Sequence, residues 1–391
     1  METPVEDASV PVQDSKQLNS DMALMVKEIS KIGPKIPEIA RRMGRHKETV
    51  RYWYKKLQEH DFAIQGITNH EAFGLQRILL KVSFGDDYAQ YVRPLMFTMN
   101  ELCYVVSYAK ALAEECYTVN CSVPRELVGE YLTFVDELRQ MGVFKKVEVF
   151  NLGWIRNIPM HGEYYDFNSG RWDFDLEGQA EKESTFQAPT VSEKVKFDKI
   201  DLLITKELVT DATRELQEIQ ASIKKTDGVD INYKTLCWHL KEHVMGQGML
   251  KGFRINWMGS RWDPVADRAK HKSHSYVAIH FMVKNPTDAE RKDLMRSFDR
   301  LPVVWAEGAG YDYFSEFIVP TEMMLDCMEY LERVMKPVRD RASYHIMDQR
   351  NAVAFALTYQ LYDEESKIWK FNREELLAKF KVLEAQVRVS G

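Results

Sequence analysis

The stretch IPEIARRMGRHKETVRYWYKKL, from Ile36 to Leu57, decides how the first part of this chain folds. Apolar residues recur at helical spacing on both sides of Gly44: Ile36, Ile39, Ala40 and Met43 before it, and Val50, Tyr54 and Leu57 after it. Upstream, residues 22–32 predict a further helix, which Gly33-Pro34 ends. Three helices with a tight glycine turn between the last two predict a helix-turn-helix.

The charge of this stretch favours DNA as its partner. The chain carries a net charge of −6, but Arg41 to Leu57 holds seven basic residues and one acid, Glu48. Because phosphate is attracted by charge within about a Debye length, ~10 Å, the local excess matters more than the sum. Arginines at the start of a recognition helix pair with guanine, and flanking basic residues hold phosphates. The predicted DNA contacts are Arg41, Arg42, Arg45, His46, Lys47, Thr49, Arg51, Lys55 and Lys56.

Two later segments of the chain repeat one order of elements. Short β-rich runs and helical runs follow each other as β-α-β-β-α-β after residue 75, and again from residue 276. Val123-Pro124 and Val319-Pro320 stand 196 positions apart, and so do Tyr117 and Tyr313. Proline favours the first turn of a helix, so each Val-Pro pair predicts a strand that leads into a helix. Each segment therefore predicts a ferredoxin-like sandwich, one antiparallel sheet with two helices on one face.

A second helical module precedes the second sandwich. Thr49-Val50 and Thr235-Leu236 stand 186 positions apart, as do Gly66-Ile67 and Gly252-Phe253. This module has fewer basic residues than the first, so it is either a weaker DNA-binding head or a copy retained for packing. Its predicted groove-facing residues are Lys234, Thr235, Trp238, His239 and Lys241.

The predicted fold class is α+β: two copies of a winged helix-turn-helix, each followed by a ferredoxin-like βαββαβ sandwich. The predicted divisions are a disordered lead-in (1–20), a first winged helix-turn-helix (21–70), a first sandwich (71–152), an acidic and aromatic linker (153–196), a second helix-turn-helix-like module (197–258), a second sandwich (259–350) and a C-terminal helical tail (351–391). The apolar stripe of the tail predicts that it docks on this chain or on a second copy.

Residues 22–154 and 197–350 each resemble one protomer of the leucine-responsive regulator/AsnC family of bacteria and archaea. The matching stretches are residues 36–44, Glu48-Thr-Val50 and Lys55-Lys-Leu57, together with Gly310-Tyr-Asp-Tyr313 in the second sandwich. Two features depart from that family. Its members carry one unit per chain, and they place a serine, as a helix N-cap, where His46 stands here.

The resemblance implies a transcription regulator of archaeal type that forms an internal pseudo-dimer, with homo-oligomers as a further expectation. It also implies an amino acid or another small effector, bound near the turn before the third strand of a sandwich. The second sandwich has a glycine-containing turn there, and its candidate effector-binding residues are Gly308, Gly310 and Asp312. The first sandwich has Glu114 and Cys116 in place of the last two, so only the second copy is expected to bind. A plain β-turn is the alternative.

Other classes of function find less support in the sequence. No phosphate loop, nucleophile elbow or complete metal motif is present, so we predict no enzyme, no cofactor and no metal. His239 and His243 have the spacing of a metal pair beside Cys237, but further ligands cannot be identified, which favours a structural role. An architectural or RNA-binding protein of low sequence specificity is the alternative function. Five scattered cysteines and the absence of a long apolar run predict a cytoplasmic protein without a membrane segment.

Overall fold

The computed structural model of the chain describes residues 15–59, 63–158, 162–167, 171–176, 193–256, 276–299, 301 and 304–390. Within these ranges the α-helices are α1 (Ser15–Ile32), α2 (Ile36–Met43), α3 (Lys47–Glu59), α4 (Val92–Cys103), α5 (Val128–Gln140), α6 (Lys199–Thr210), α7 (Leu216–Asp227), α8 (Tyr233–Trp238), α9 (Asp288–Asp299), α10 (Met324–Met335) and α11 (Arg373–Ser390). The strands are β1 (Ala63–Thr68), β2 (Leu75–Phe84), β3 (Val105–Ala111), β4 (Tyr117–Pro124), β5 (Phe144–Asn157), β6 (Tyr165–Asp166), β7 (Arg171–Trp172), β8 (Leu250–Asn256), β9 (Tyr276–Val283), β10 (Val304–Ala309), β11 (Tyr313–Pro320), β12 (Ala342–Ala354), β13 (Tyr362–Asp363) and β14 (Ile368–Trp369). This order confirms the predicted α+β class and the βαββαβ pattern of both units.

The first helical module forms as its sequence predicts. Gly44 adopts a left-handed backbone with φ 62° between α2 and α3, a conformation that suits glycine. Val50, Trp53 and Leu57 of α3 are buried against α1 and α2. Helix α1 begins at Ser15, so the predicted disorder is wrong for residues 15–20, and residues 1–14 lie outside the described ranges.

A two-stranded ribbon joins the two helical modules. Strand β1, the predicted wing of the first module, pairs antiparallel with β8 of the second. Gly66 lies opposite Phe253 and Ile67 opposite Gly252, so the repeated Gly-apolar pairs meet about a pseudo-twofold axis. The ribbon therefore belongs to both modules, and it brings Gln65 and Arg254 into register.

The two sandwiches share one closed eight-stranded sheet. Its strand order is β10-β11-β9-β12-β3-β4-β2-β5, and a single bridge from Ala309 to Gly153 joins β10 to β5. Strand β12 pairs with β9 as far as Met347 and with β3 from Met347 to Ala354, with a register shift between Asp348 and Val353. The closure depends on β5 and β12, which both continue past the predicted ends of the sandwiches at residues 152 and 350.

Alternating side chains give this sheet two different faces. On β2, Ile78 and Leu80 join the large core under the helices, whereas Leu79 belongs to a separate small cluster with Met282 and Phe314 on the other face. The period of two along a strand produces this division. The second face of every strand therefore points into the space that the sheet encloses.

The segment after each sandwich packs on the other unit. Trp369 of the hairpin β13–β14 donates a hydrogen bond to the carbonyl of Phe73 in the first unit, and Trp172 of β6–β7 donates one to Tyr276 in the second. Helix α11 continues the exchange, since Phe380 packs on Phe134 with ring centroids 6.0 Å apart. The predicted docking of the C-terminal tail thus takes place within this chain.

In the described part of the chain, no helix has the length and apolar character to cross a lipid bilayer. The five cysteines form no disulfide, and Cys103, Cys116, Cys121 and Cys327 are buried.

Candidate active site inside the closed sheet

A cavity of about 250 Å³ opens between the inner face of the closed sheet and the β1–β8 ribbon. Both units and the ribbon line it. Its wall is mixed, with apolar side chains such as Val106 and Phe314 beside charged and imidazole groups. Such a combination of apolar walls and a few convergent polar groups is typical of small-molecule sites.

The first polar group of the cavity is built on β2 and the turn before it. Arg77 is buried, and its Nη1 lies 3.3 Å from Nε2 of His70. Because a guanidinium only donates, Nε2 accepts, and Nδ1–H of His70 then donates to Oγ of Ser122 at 2.6 Å. Burial, and then the charges of Arg77 and Lys251, hold the pKa of His70 well below its usual range. His70 is therefore a neutral imidazole with a fixed tautomer.

A second guanidinium reaches the cavity from the ribbon. Arg254 of β8 lies over the ring of Trp305, with its central carbon 4.6 Å from the ring centroid. Burial lowers the pKa of Arg254, and that of Arg77, to about 10, so both side chains remain charged at neutral pH. Among the described residues, Nε of neither arginine has a hydrogen-bond partner, although both atoms are buried. A buried and a half-buried cation, each with an unused buried donor, suit an anionic ligand.

The opposite wall carries an imidazole–carboxylate pair. His280 of β9 lies directly opposite Glu316 of β11, and its Nε2 is 3.5 Å from the Glu316 carboxylate. Its Nδ1 is 2.9 Å from Oγ1 of Thr118, which comes from the first unit. His345 of β12 lies beside it on the other side. These contacts fix the ring of His280, which lines the cavity.

The two units contribute different chemistry at matching positions. Leu75 pairs with Pro124 in the first unit as Tyr276 pairs with Pro320 in the second. By this register the counterpart of Arg77 is Ala278, and the counterpart of His280 is Leu79. The cavity is therefore asymmetric although the fold around it is pseudo-symmetric.

The predicted DNA-contacting arginines of the first module are engaged with nearby acids. Arg41 and Arg42 both bind Glu38, Arg42 also reaches Glu28, and Arg51 binds Glu48. Arg45 binds the buried carboxylate of Asp21 at 2.9 Å. The remaining predicted contacts lie on the surface of the module: His46, Lys47 and Lys55 are exposed, and Thr49 and Lys56 are half-buried. The basic excess seen in the sequence is thus largely compensated within the module.

The predicted groove-facing residues of the second module separate into two groups. Lys234, Thr235, Trp238 and Lys241 are exposed. His239 is buried instead, and its Nδ1 lies 2.8 Å from Asp201 of α6. The helix widens into a π-helical turn from His239 to Met245, which directs the imidazole inward.

The glycine turn predicted to bind an effector is filled by the first unit. A Cβ at Gly310 would lie 2.6 Å from the carbonyl carbon of Leu152, and one at Gly308 would lie 2.9 Å from Ile155. Asp312 accepts hydrogen bonds from the backbone amides of Asn151 and Asn285. These residues hold β10 against β5, so this turn leaves little space for a ligand.

The fold is a tandem Lrp/AsnC-like architecture, and it encloses a cavity between its two units. No protein-family model matches the sequence, and no curated protein matches it. The crystal structure of the siroheme decarboxylase NirDL covers 92% of this chain and 99% of that chain, with 12% identity and a TM-score of 0.50. NirDL in co-complex with an iron-uroporphyrin III analogue covers the same shares with 11% identity and a TM-score of 0.51. The structure of E. coli AsnC covers 34% of this chain and 89% of its own, with 8% identity and a TM-score of 0.26.

The match to NirDL overturns the function predicted from the sequence. NirDL, which shares the two-unit fold over almost the whole chain, is an enzyme, a siroheme decarboxylase. The sequence predicted a DNA-binding regulator, with another nucleic-acid-binding protein as the alternative, and this prediction is therefore wrong. The prediction that the chain is not an enzyme is wrong as well. So are the predicted partners, double-stranded DNA and an amino-acid effector. The ion pairs within the first module explain why its charge pattern was misleading.

Sequence reasoning missed the cavity residues. Arg77 and His280 occupy inward positions of strands that read as apolar runs, RILLKVSF and YVAIHFMV. A charged or imidazole side chain at such a position is costly to bury, and it is a usable signal for a site. Arg254 was not among the predicted site residues, because its strand pairing with β1 is not visible in the sequence.

Proposed function

We propose that this chain is an enzyme that binds a tetrapyrrole through its carboxylates inside the closed sheet and removes carboxylate as CO₂. The observation that carries the proposal is the pair of buried guanidiniums, Arg77 and Arg254, whose Nε atoms have no partner among the described residues and line one cavity. The substrate class is supported by the likeness in fold to a siroheme decarboxylase that was crystallised with an iron-uroporphyrin III analogue.

The arginines supply binding and orientation. A guanidinium offers two parallel donors to a carboxylate, and such charge-assisted pairs are about twice as strong as neutral hydrogen bonds. In a wall that excludes water this attraction increases, because the effective dielectric falls. One arginine on β2 and one on the ribbon hold two carboxylates at separate edges of a flat ligand, which leaves a third carboxylate free to react.

The imidazole–carboxylate pair supplies the proton. Decarboxylation breaks the bond between the carboxylate carbon and its neighbour, releases CO₂, and leaves the electron pair on the remaining carbon. The conjugated ring of a tetrapyrrole stabilises that charge until a proton arrives. His280 is the candidate donor at Nε2, and Glu316 then recharges the imidazole from solvent. The net change is one proton consumed and one CO₂ released for each carboxylate lost.

The test uses the purified full-length chain and siroheme. We expect absorbance titration to show binding, and mass spectrometry to show products lighter by the mass of CO₂. Arg77→Met should weaken binding by more than about tenfold, since it removes a charge-assisted pair. The same change removes a buried charge but also the donor to Nε2 of His70, so the two effects oppose each other and the stability of the ligand-free protein should change by no more than about 1 kcal/mol.

The matched control is Arg139→Met on α5, where the arginine is exposed and bound to Asp136. This variant should keep both affinity and stability. If siroheme neither binds nor loses mass, or if the two variants bind it equally well, the proposal fails.

A further inference from the structure

A cluster of three metal-ligating side chains lies in the second helical module, away from the cavity. Asp201 of α6 is fully buried, and Nδ1 of His239 and Nδ1 of His243 lie 2.8 Å and 3.1 Å from its two carboxylate oxygens. One ligand atom from each of the three residues lies within 4.8 Å of the others. We propose that these residues bind one divalent transition-metal ion, with Zn²⁺ as the expected species.

The local backbone explains how the two imidazoles come to face one carboxylate. His239 and His243 lie on the π-helical turn His239–Met245. The i→i+5 hydrogen bonds of a π-helix widen each turn, so residues four positions apart are nearly in line along the axis. Turns of this kind are common at functional sites. Both rings therefore point to the same place, above the start of α6.

The second half of the cluster is fixed before any ion binds. Asp201 and Asp198 form a capping box at the start of α6, in which each side chain accepts a hydrogen bond from the other residue's backbone amide, at 3.0 Å and 3.1 Å. The carboxylate of Asp201 is thus held rigidly. Asp198 has a carboxylate oxygen 3.8 Å from Nδ1 of His239, and it or a water molecule is the fourth ligand.

The distances suit a small tetrahedral ion. Two ligand atoms that each lie about 2.0–2.1 Å from Zn²⁺ are ~3.3 Å apart in tetrahedral geometry. The two nitrogen–oxygen distances, 2.8 Å and 3.1 Å, are shorter than that value by about 0.5 Å and 0.2 Å, so a small outward movement of the imidazoles would admit the ion. Imidazole and carboxylate ligands together favour Zn²⁺ and neighbouring transition metals over Ca²⁺ or Mg²⁺.

The surroundings separate the site from bulk water while leaving a way in. The exposed indole of Trp238 covers both imidazoles, with ring centroids 4.9 Å from His239 and 4.3 Å from His243. The side chain of His243 keeps 21% of its surface exposed. A metal here would join α6 to the π-helical turn that follows α8, on the inward face of the module.

The first measurement is metal content. Full-length protein without an affinity tag is stripped with a chelator, reloaded with Zn²⁺, passed through gel filtration and analysed by mass spectrometry for metals. We expect one Zn²⁺ per chain and a calorimetric titration with one site. Protein that retains no Zn²⁺ would overturn the proposal.

Two variants locate the ion. His243→Ala should lower Zn²⁺ affinity by more than about 100-fold. The loss of a residue that only hydrogen-bonds a metal ligand would lower the affinity by less than this. The matched control is Cys116→Ser, because Cys116 belongs to the other ligand-type cluster among the described residues, with Glu114 and His345. Cys116→Ser should retain one Zn²⁺. If the control loses the ion, or His243→Ala keeps its affinity, the proposed site is wrong.

A third variant gives a gain of signal. His243→Cys keeps three ligands and replaces a nitrogen by a thiolate, so its Co²⁺ complex should acquire a cobalt–thiolate absorption band that the unmodified protein lacks. Circular dichroism establishes that the variant is folded. A folded His243→Cys protein without the band would overturn the assignment. This inference is independent of tetrapyrrole binding, so either proposal can fail alone.

Discussion

Single residues in the cavity wall are arranged for a ligand at a cost to the fold. The Nε atoms of Arg77 and Arg254 are buried without a hydrogen-bond partner among the described residues, and a buried donor without a partner is destabilising. The lowered pKa of each arginine has burial as its largest cause. At sites of this kind, side chains placed to bind a ligand lower the stability of the ligand-free protein. A carboxylate ligand should therefore stabilise the protein strongly.

Acid should destabilise the protein through His70. Its pKa is well below the usual range in the folded chain, but near 6.5 when unfolded. Below about pH 6.5 the unfolded chain binds a proton that the folded chain does not, so stability is lost as pH falls, by up to ~1.4 kcal/mol per pH unit. His70→Gln should show a shallower loss in urea unfolding from pH 6.5 to 5, whereas exposed His46→Gln should match the unmodified protein. Identical slopes for all three proteins would contradict this account.

At the scale of elements, the closure of the sheet depends on close contact between β10 and β5. Glycines 308 and 310 permit this contact, because a Cβ at either would meet Ile155 or Leu152. Gly308 and Gly310, which the sequence predicted to bind an effector, allow β10 to pack closely against β5 in the structure.

Gly310→Ala should open this junction. Overpacking of this kind costs about 1–3 kcal/mol, and urea denaturation should report a loss of that size together with weaker siroheme binding. Gly129→Ala on α5 is the matched control, since no atom lies within 4 Å of the added Cβ. Alanine is favoured in a helix, so this control should be neutral or gain up to about 1 kcal/mol. A loss of equal size in both variants would show that closure of the sheet is not the cause.

At the scale of the whole molecule, the exchanged segments make the two units unfold together. Phe380 of α11 belongs to the second unit but is buried on Phe134 of the first, and Arg373 binds Glu137. Phe380→Ala should cost about 3–5 kcal/mol and lower the temperature of one shared calorimetric transition. Val382→Ala, at a 59% exposed position, should change stability by less than about 0.5 kcal/mol. Two separate transitions, with only one shifted by Phe380→Ala, would contradict the coupling.

Local sequence patterns predicted the individual helices and strands. They did not predict the contacts between residues that are distant in the sequence. Strand β9 runs from Tyr276 to Val283 as its apolar run predicts, because a buried strand is recognisable from consecutive apolar residues in the sequence. The ends of β5 and β12 were placed too early, since pairing with the other unit extends them. The exchanged hairpins did have a signal: Tyr165-Asp166 and Trp172 recur 197 positions later as Tyr362-Asp363 and Trp369. That repeat extends into the segments interpreted as linker and tail.

The unlike walls of the cavity have a stereochemical consequence. Two identical subunits present a ligand with two equivalent faces, so a ring bound between them has two equivalent orientations. Here Arg77 is matched by Ala278 and His280 by Leu79, so a flat ring bound as we propose would meet a guanidinium at one end of the cavity and an imidazole at the other. A ring with non-equivalent edges would then have a single preferred orientation, and the presence of two unlike units in one chain would become a means of regioselectivity.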